Sequence, residues 1–207
     1  MGSTVQQSDK SRLVAILQLA YSGELAAAYA YRGHWHSLSD PSERARVKVI
    51  EEEELHHRTL VGEMLQSLDA EPDRRRELRA TVVGRVLGFL CHLSGWLAPM
   101  YGAGRLESKN IVEYETAARY ARDCGRTEFV DCLLTMAEVE WEHEQYFRSR
   151  VLAHRLGGRV PMWPAPPPKS EIRASFDRAL QDRVPANEMI DPTASVDSLV
   201  AAGRQER

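Results

Sequence analysis

The sequence predicts an all-α protein of four long helices: two antiparallel hairpins joined by a long crossover that contains an extra helix. Three observations carry this. Long stretches rich in Ala, Leu, Arg and Glu run without Pro. The breaks between them hold helix-start and helix-stop residues. Almost no run alternates with the two-residue period of a strand. The 207 residues suffice for one domain with a sizeable core.

The first helix is expected from about Asp9 to Leu38, rich in Ala and Leu. Ser39-Asp40-Pro41-Ser42 breaks it, and Asp40 before Pro41 is a start signal for a second helix reaching about Leu68. Asp69 to Pro72 is the next break. A third helical region begins near Asp73 and turns apolar and Gly-rich from Thr81 to Gly104, with Pro99 expected to kink or interrupt it. A core helix should then run from about Met100 to Cys124, with Gly125 as its C-cap. The last core helix is expected over about Thr127 to Leu156, stopped by Gly157 and Gly158. Met162 to Pro168 contains four prolines and must be extended. A short helix is expected from Ser170 to about Arg183, then a tail. The domain reading is a helical bundle over 1–158, followed by a Pro-rich linker, short helix and tail over 159–207.

Bulk properties exclude some functions. A net charge of −3 and a pI near 6.2 provide no electrostatic case for nucleic acid. The opening Met-Gly-Ser-Thr-Val-Gln-Gln is polar and does not read as a secretory leader. Cys91, Cys124 and Cys132 form no CxxC and read as reduced thiols of a cytoplasmic protein. The apolar stretch 82–100 either rests on a membrane as a peripheral contact or covers one end of the bundle. Arg85 and the glycines argue against a span.

The most informative pattern is a pair of Glu-x-x-His motifs, Glu54 with His57 and Glu140 with His143. A Glu at i and a His at i+3 share one helix face, so both can reach one metal ion. Each motif trails a single Glu about thirty residues upstream, Glu24 and Glu107. Two such motifs plus two single carboxylates form the ligand set of a two-metal site in a four-helix bundle.

Other acids compete for these roles. Glu24 shares its face with Leu13, Leu17, Ala20, Ala27, Ala28 and Tyr31, so it should point inward, where a lone carboxylate is costly. Glu53 with His56 offers the same spacing as Glu54 with His57. The latter continues the apolar stripe Val47, Ile50, Val61, Leu65 and Leu68 and is preferred, though the choice is not forced. Glu51 and Glu52 read as a solvated face. Glu107 lines up with Met100, Gly104, Ile111, Tyr114 and Ala118 and is preferred to Glu113. Glu115 reads as a surface ion pair with Arg119. Glu138, Glu142 and Glu144 read as outward or rim residues. His34, His36, His92 and His154 have no Glu three residues before them and read as ordinary surface or core histidines.

Hairpin geometry supports the set. Midway between Glu24 and Glu54 lies Ser39, in the first break; midway between Glu107 and Glu140 lies the Asp123–Cys124 step, beside Gly125. Each hairpin thus brings its acids to one level. The competing reading is a metal-free bundle with buried ion pairs, but the chain offers no equal set of buried cations. Four carboxylates and two imidazoles without a thiolate disfavour zinc and iron–sulfur clusters. They suit two iron ions, with manganese as the alternative. Glu54 and Glu140 would bridge, and Glu24 and Glu107 would be terminal. Each His would need an acceptor for its free ring N–H.

Gly23-Glu24, Glu54-x-x-His57, Glu107 with Tyr114 seven residues later, and Glu140-x-x-His143 resemble the demethoxyubiquinone hydroxylase family of ferritin-like di-iron proteins. The likeness covers about residues 10 to 155. It implies a ferritin-like four-helix bundle and iron ligands at Glu24, Glu54, His57, Glu107, Glu140 and His143, with Tyr114 on the substrate or electron-transfer side. It is shared in part by rubrerythrins and bacterioferritins. Past its last ligand motif the chain departs into Pro164-Ala-Pro-Pro-Pro168 and a polar tail.

The functional expectation is an O2-activating di-iron monooxygenase acting on a small aromatic or quinone-like molecule held near Tyr31 and Tyr114. No nucleotide fingerprint is present, so an external electron donor is expected. A homo-oligomer, a dimer, is expected as well. The alternatives are a ferroxidase or peroxide-handling protein, and a metal-free interaction module whose Ser195–Leu199 tail docks a partner.

Overall fold

A computed structural model describes residues 2–181; the expectations for residues 182–207, including the docking tail at 195–199, lie outside them. Six α-helices and no strand occur among the described residues. They are α1 (Gly2–Ser37), α2 (Pro41–Ser67), α3 (Arg74–Cys91), α4 (Leu97–Asp123), α5 (Val130–Ala153) and α6 (Lys169–Gln181). The fold is an all-α, ferritin-like bundle of two antiparallel hairpins, α1–α2 and α4–α5, with α3 as the crossover helix. A first compact unit ends at Ile172, and the bundle lies within it.

The breaks use specific chemistry. Asp40 caps α2, its carboxylate accepting from the backbone N–H of Ser42 and Glu43, both at 2.9 Å, with Pro41 in the first turn. Asp73 caps α3 in the same way through Arg75 and Arg76. α4 ends in a Schellman turn. Gly125 adopts φ 82°, and the N–H groups of Arg126 and Gly125 return to the carbonyls of Ala121 and Arg122.

Several boundaries differ from expectation. Pro99 does not kink a helix: it occupies the first turn of α4, where its missing N–H costs nothing. The interruption falls earlier, at 92–96, where Gly95 takes φ 72°. α5 is shorter than expected because a 3-10 turn, Thr127–Phe129, precedes it and the helix stops at Ala153.

α1 is the centre of the assembly, packing against α2, α3 and α4. Over Gln6–Ser37 it is long and apolar enough to cross a membrane by length and composition. Its Leu13, Leu17, Ala20, Ala27 and Ala28 are buried in the bundle, however, and Glu24 sits among them. α3 lies against α1 at backbone contact: a Cβ on Gly84 would meet the Ala26 carbonyl at 2.5 Å, and one on Gly88 the Tyr29 carbonyl at 2.7 Å. The glycines of the crossover are therefore a packing requirement.

Residues 161–168 run without secondary structure across the bundle. Trp163 is buried in a core cluster with Tyr31, Met100 and Phe147. Its indole N–H donates to Glu144 at 2.7 Å, and Arg148 also binds Glu144. Glu144 is thus fully buried rather than a rim residue; it anchors this strap. Glu51 is likewise not solvated: Arg32 and the Trp35 indole both bind its carboxylate and cover it.

Candidate metal centre

Four helices each carry part of one buried polar cluster. α1 supplies Glu24, α2 Glu54 and His57, α4 Glu107 and α5 Glu140 and His143, and all six residues are 3 % exposed or less. Their placement follows from helical periodicity, since each lies on the stripe that faces the bundle axis.

The ligand atoms form two overlapping groups. Glu24, Glu54, His57 and Glu140 offer atoms within 4.8 Å of one another; so do Glu54, Glu107, Glu140 and His143. Glu54 and Glu140 belong to both groups. The structure therefore brings together all six sequence-selected residues, with one acid from each Glu-x-x-His motif at the shared position. Glu53 and His56 lie outside these groups, and so does Glu113.

Electrostatics give the cluster an unfinished character. Oε2 of Glu24, both carboxylate oxygens of Glu54, Oε2 of Glu140 and Nδ1 of His143 are buried without a hydrogen-bond partner. Nδ1 of His143 lies 3.2 Å from Glu54 Oε1, close but without hydrogen-bond geometry. Several unpartnered acceptors converging on one interior point are expensive unless cations fill the space between them. The donor set fits two divalent ions: hard oxygens, two imidazoles and enough negative charge to neutralise them.

Proton distribution shows the same tension. Burial, then the charge of Glu54, holds the Glu24 carboxyl well above the usual range. Burial and Glu140 do the same to Glu107. Burial would also raise Glu140, but the imidazoles of His143 and His57 more than offset this and hold its carboxyl well below the usual range. Burial would lower His143, but Glu140, Glu53 and Glu54 push it up to about 12. In the metal-free cluster, protons thus occupy the role of the cations.

Tyrosines brace the terminal acids. Tyr31 donates its hydroxyl to Glu107 Oε1, and Tyr114 donates to Glu24 Oε1. Asn110 Nδ2 holds the second oxygen of Glu107 at 3.0 Å. Asn110 was not selected from the sequence; its position three residues after Glu107 was the available signal. Glu53 also takes an unexpected place: it accepts from His143 Nε2 at 2.7 Å and from Arg46 at 3.1 Å. It is the outer acceptor whose identity the sequence left open.

Two openings approach the cluster from its α1–α4 side. The larger is an apolar cavity of about 400 Å³ between α1, α3 and α4, with Tyr31 and His34 in its wall. The smaller, about 180 Å³, is lined by Glu24, Asn110, Glu113 and Tyr114. Burial, then Glu140, raises the carboxyl of Glu113 to about 7.

The family model described as ubiquinone biosynthesis protein COQ7 matches residues 11–109, slightly less than half of the chain. The match spans α1, α2, α3 and α4 through Glu107. Searches of curated proteins and of solved structures returned no match.

Proposed function

We propose that this chain, whose residues 11–109 belong to the COQ7 family of ferritin-like di-iron proteins, is a di-iron monooxygenase of a small aromatic or quinone-like molecule. The observation that carries the reading is the pair of overlapping ligand groups with their unpartnered buried acceptors. Glu24, Glu54 and His57 with Glu140 would hold one iron, and Glu107, His143 and the same two shared acids the other. Bound ferrous ions would supply the electrons that activate O2. Manganese is the alternative metal.

The chain's own residues do the rest. Glu54 and Glu140, which belong to both ligand groups, would be shared by the two ions. Tyr31 and Tyr114 fix the terminal carboxylates by hydrogen bonds, and the aliphatic wall of the cavity excludes water from the substrate side. Hydroxylation of RH consumes O2, two electrons and two protons and yields ROH and water. The electrons come from an external donor. The apolar cavity beside Tyr31 favours an organic substrate over Fe2+ itself, and the name of the matching family points to a quinone-type ring.

The same proposal extends to location. Val82, Val83, Val86, Phe89 and Leu93 of the crossover region are exposed and apolar. They suit a protein that touches a membrane peripherally and draws an apolar substrate from it.

The test is iron content and the optical spectrum of anaerobically Fe2+-loaded protein, before and after O2. About two irons per chain and an O2-dependent absorption change are expected. Glu54→Ala and Glu107→Ala should remove both. Protein that takes up no stoichiometric metal would overturn the reading.

A further inference from the structure

The smaller opening, between α1 and α4, holds an acid without a partner. Glu113 is half-buried and, among the described residues, makes no hydrogen bond or ion pair. Glu24 and Tyr114, both buried, wall the same cavity of about 180 Å³. Tyr114 holds Oε1 of Glu24, while Oε2 has no partner. Glu24 thus borders the cavity on one side and belongs to the ligand cluster on the other. Asn110 makes a second link. It lines the cavity, and its Nδ2 donates to Glu107 at 3.0 Å, which leaves its Oδ1 available as an acceptor. Glu107, Asn110 and Glu113 stand one turn apart along α4, with roughly 5–6 Å between successive Cβ atoms.

Hard divalent ions take oxygen ligands, and a carboxylate drawn partly out of water with no cation beside it is costly until one arrives. The other approaches to the cluster lack this feature. The apolar cavity, walled by Leu87, Leu90 and Leu106, would strip a hydrated ion without replacing its water. A groove between α2 and α5 carries Glu52 and Glu53, but both already face cations, Lys48 at 3.9 Å and Arg46 at 3.1 Å. We infer that the cavity between α1 and α4 is the entrance for divalent ions, with Glu113 first holding an incoming ion and Asn110 and Glu24 passing it inward. The inference rests on the two-metal reading of the cluster. From this cavity an ion meets both terminal acids, Glu24 directly and Glu107 by way of Asn110.

The test is stopped-flow uptake of Co2+, whose visible absorption reports binding, by the metal-free full-length protein. It is run at pH 8, above the value of about 7 to which burial and Glu140 raise the Glu113 carboxyl. A residue on the route but outside the final site changes entry and exit together and leaves the equilibrium nearly alone. Glu113→Gln should therefore slow both uptake and chelator-driven release about tenfold and change Kd by less than about threefold. Gly23 is exposed on the lining of the cavity, with nothing within 4 Å of an added Cβ. Gly23→Leu should thus fold, plug the mouth and slow both rates without touching a charge. Uptake at the wild-type rate in either variant would overturn the inference. So would a Kd raised about tenfold in Glu113→Gln with release unchanged, because Glu113 would then be part of the final site. Two ions bound at unaltered rates sink this inference alone, whereas a wild type that takes up no Co2+ sinks the two-metal reading as well.

Discussion

Glu53 and His143 are joined across two helices: Nε2 of the imidazole lies 2.7 Å from Oε2 of the carboxylate, while Nδ1 of the same ring faces Glu54 at 3.2 Å. One nitrogen is thus turned to the cluster and the other is held from outside. Outer carboxylates of this kind set the tautomer and angle of a metal-binding imidazole. Glu53→Ala is expected to weaken metal binding by about 10- to 100-fold, and Glu53→Gln, which keeps an acceptor oxygen, by less. Competition with a chromophoric chelator measures this. Unchanged affinity in Glu53→Ala would mean that the contact does not orient the ring.

Metal and protons should compete. Glu24 and Glu107 hold their protons above the ordinary carboxyl value of 4.5, and His57 and His143 above the ordinary imidazole value of 6.5. Between pH 6 and 8 the folded metal-free protein therefore binds more protons than the unfolded chain, and its stability falls as pH rises. Each such proton contributes up to about 1.4 kcal/mol per pH unit. Two groups have the opposite sign: Glu140, whose contribution is lost only as pH falls below about 4.5, and His34, whose imidazole burial lowers to about 4 and which offsets part of the drop below about pH 7. Calorimetric Tm should drop from pH 6 to pH 8 without metal, and Mn2+ should abolish the drop by displacing the protons. A metal-free Tm that rises with pH would contradict the assigned protonation.

Crossover packing makes a local prediction. Gly84→Val puts branched carbons where a Cβ alone would lie 2.5 Å from the Ala26 carbonyl, and should destabilise by about 1–3 kcal/mol or more. Gly102→Ala, in α4 with nothing within 4 Å of the added carbon, should instead gain about 0.5–1 kcal/mol from helix propensity. Urea denaturation of the two variants checks both signs, and a neutral Gly84→Val would show that α3 can slide on α1.

Strap anchoring gives a fourth. Glu144→Ala leaves the Trp163 indole and Arg148 without their buried acceptor. The expected cost is about 3 kcal/mol, with faster proteolysis within residues 161–168. Cleavage no faster than in the wild type would show that the strap is held by its other contacts, such as Trp141 to the Pro167 carbonyl.

The limits of the sequence can be traced to particular residues. Helix starts were legible because capping is local: Asp40 and Asp73 bind N–H groups two and three residues ahead. Pro99 misled because a proline reads alike inside a helix and in its first turn, and only the φ of Gly95 shows that the helix had already ended. Glu51 and Glu144 were read as solvated because an acidic run on an amphipathic helix usually is. Their burial depends on Arg32, Trp35, Trp163 and Arg148, which come from other turns, other helices or the strap.

The sequence by itself determined the all-α class and the two hairpins, and it singled out the six acids and imidazoles that the bundle brings together, with Glu53, His56 and Glu113 as competitors. It could do so because helical periodicity and distance from a turn are properties of the chain in one dimension. Tertiary structure alone decided that Glu53 sits behind His143 and that Tyr31 and Tyr114 brace the terminal acids. Those relations join residues on different helices, and their distances depend on how closely the helices pack, which at α1 and α3 is set by glycine backbones in contact.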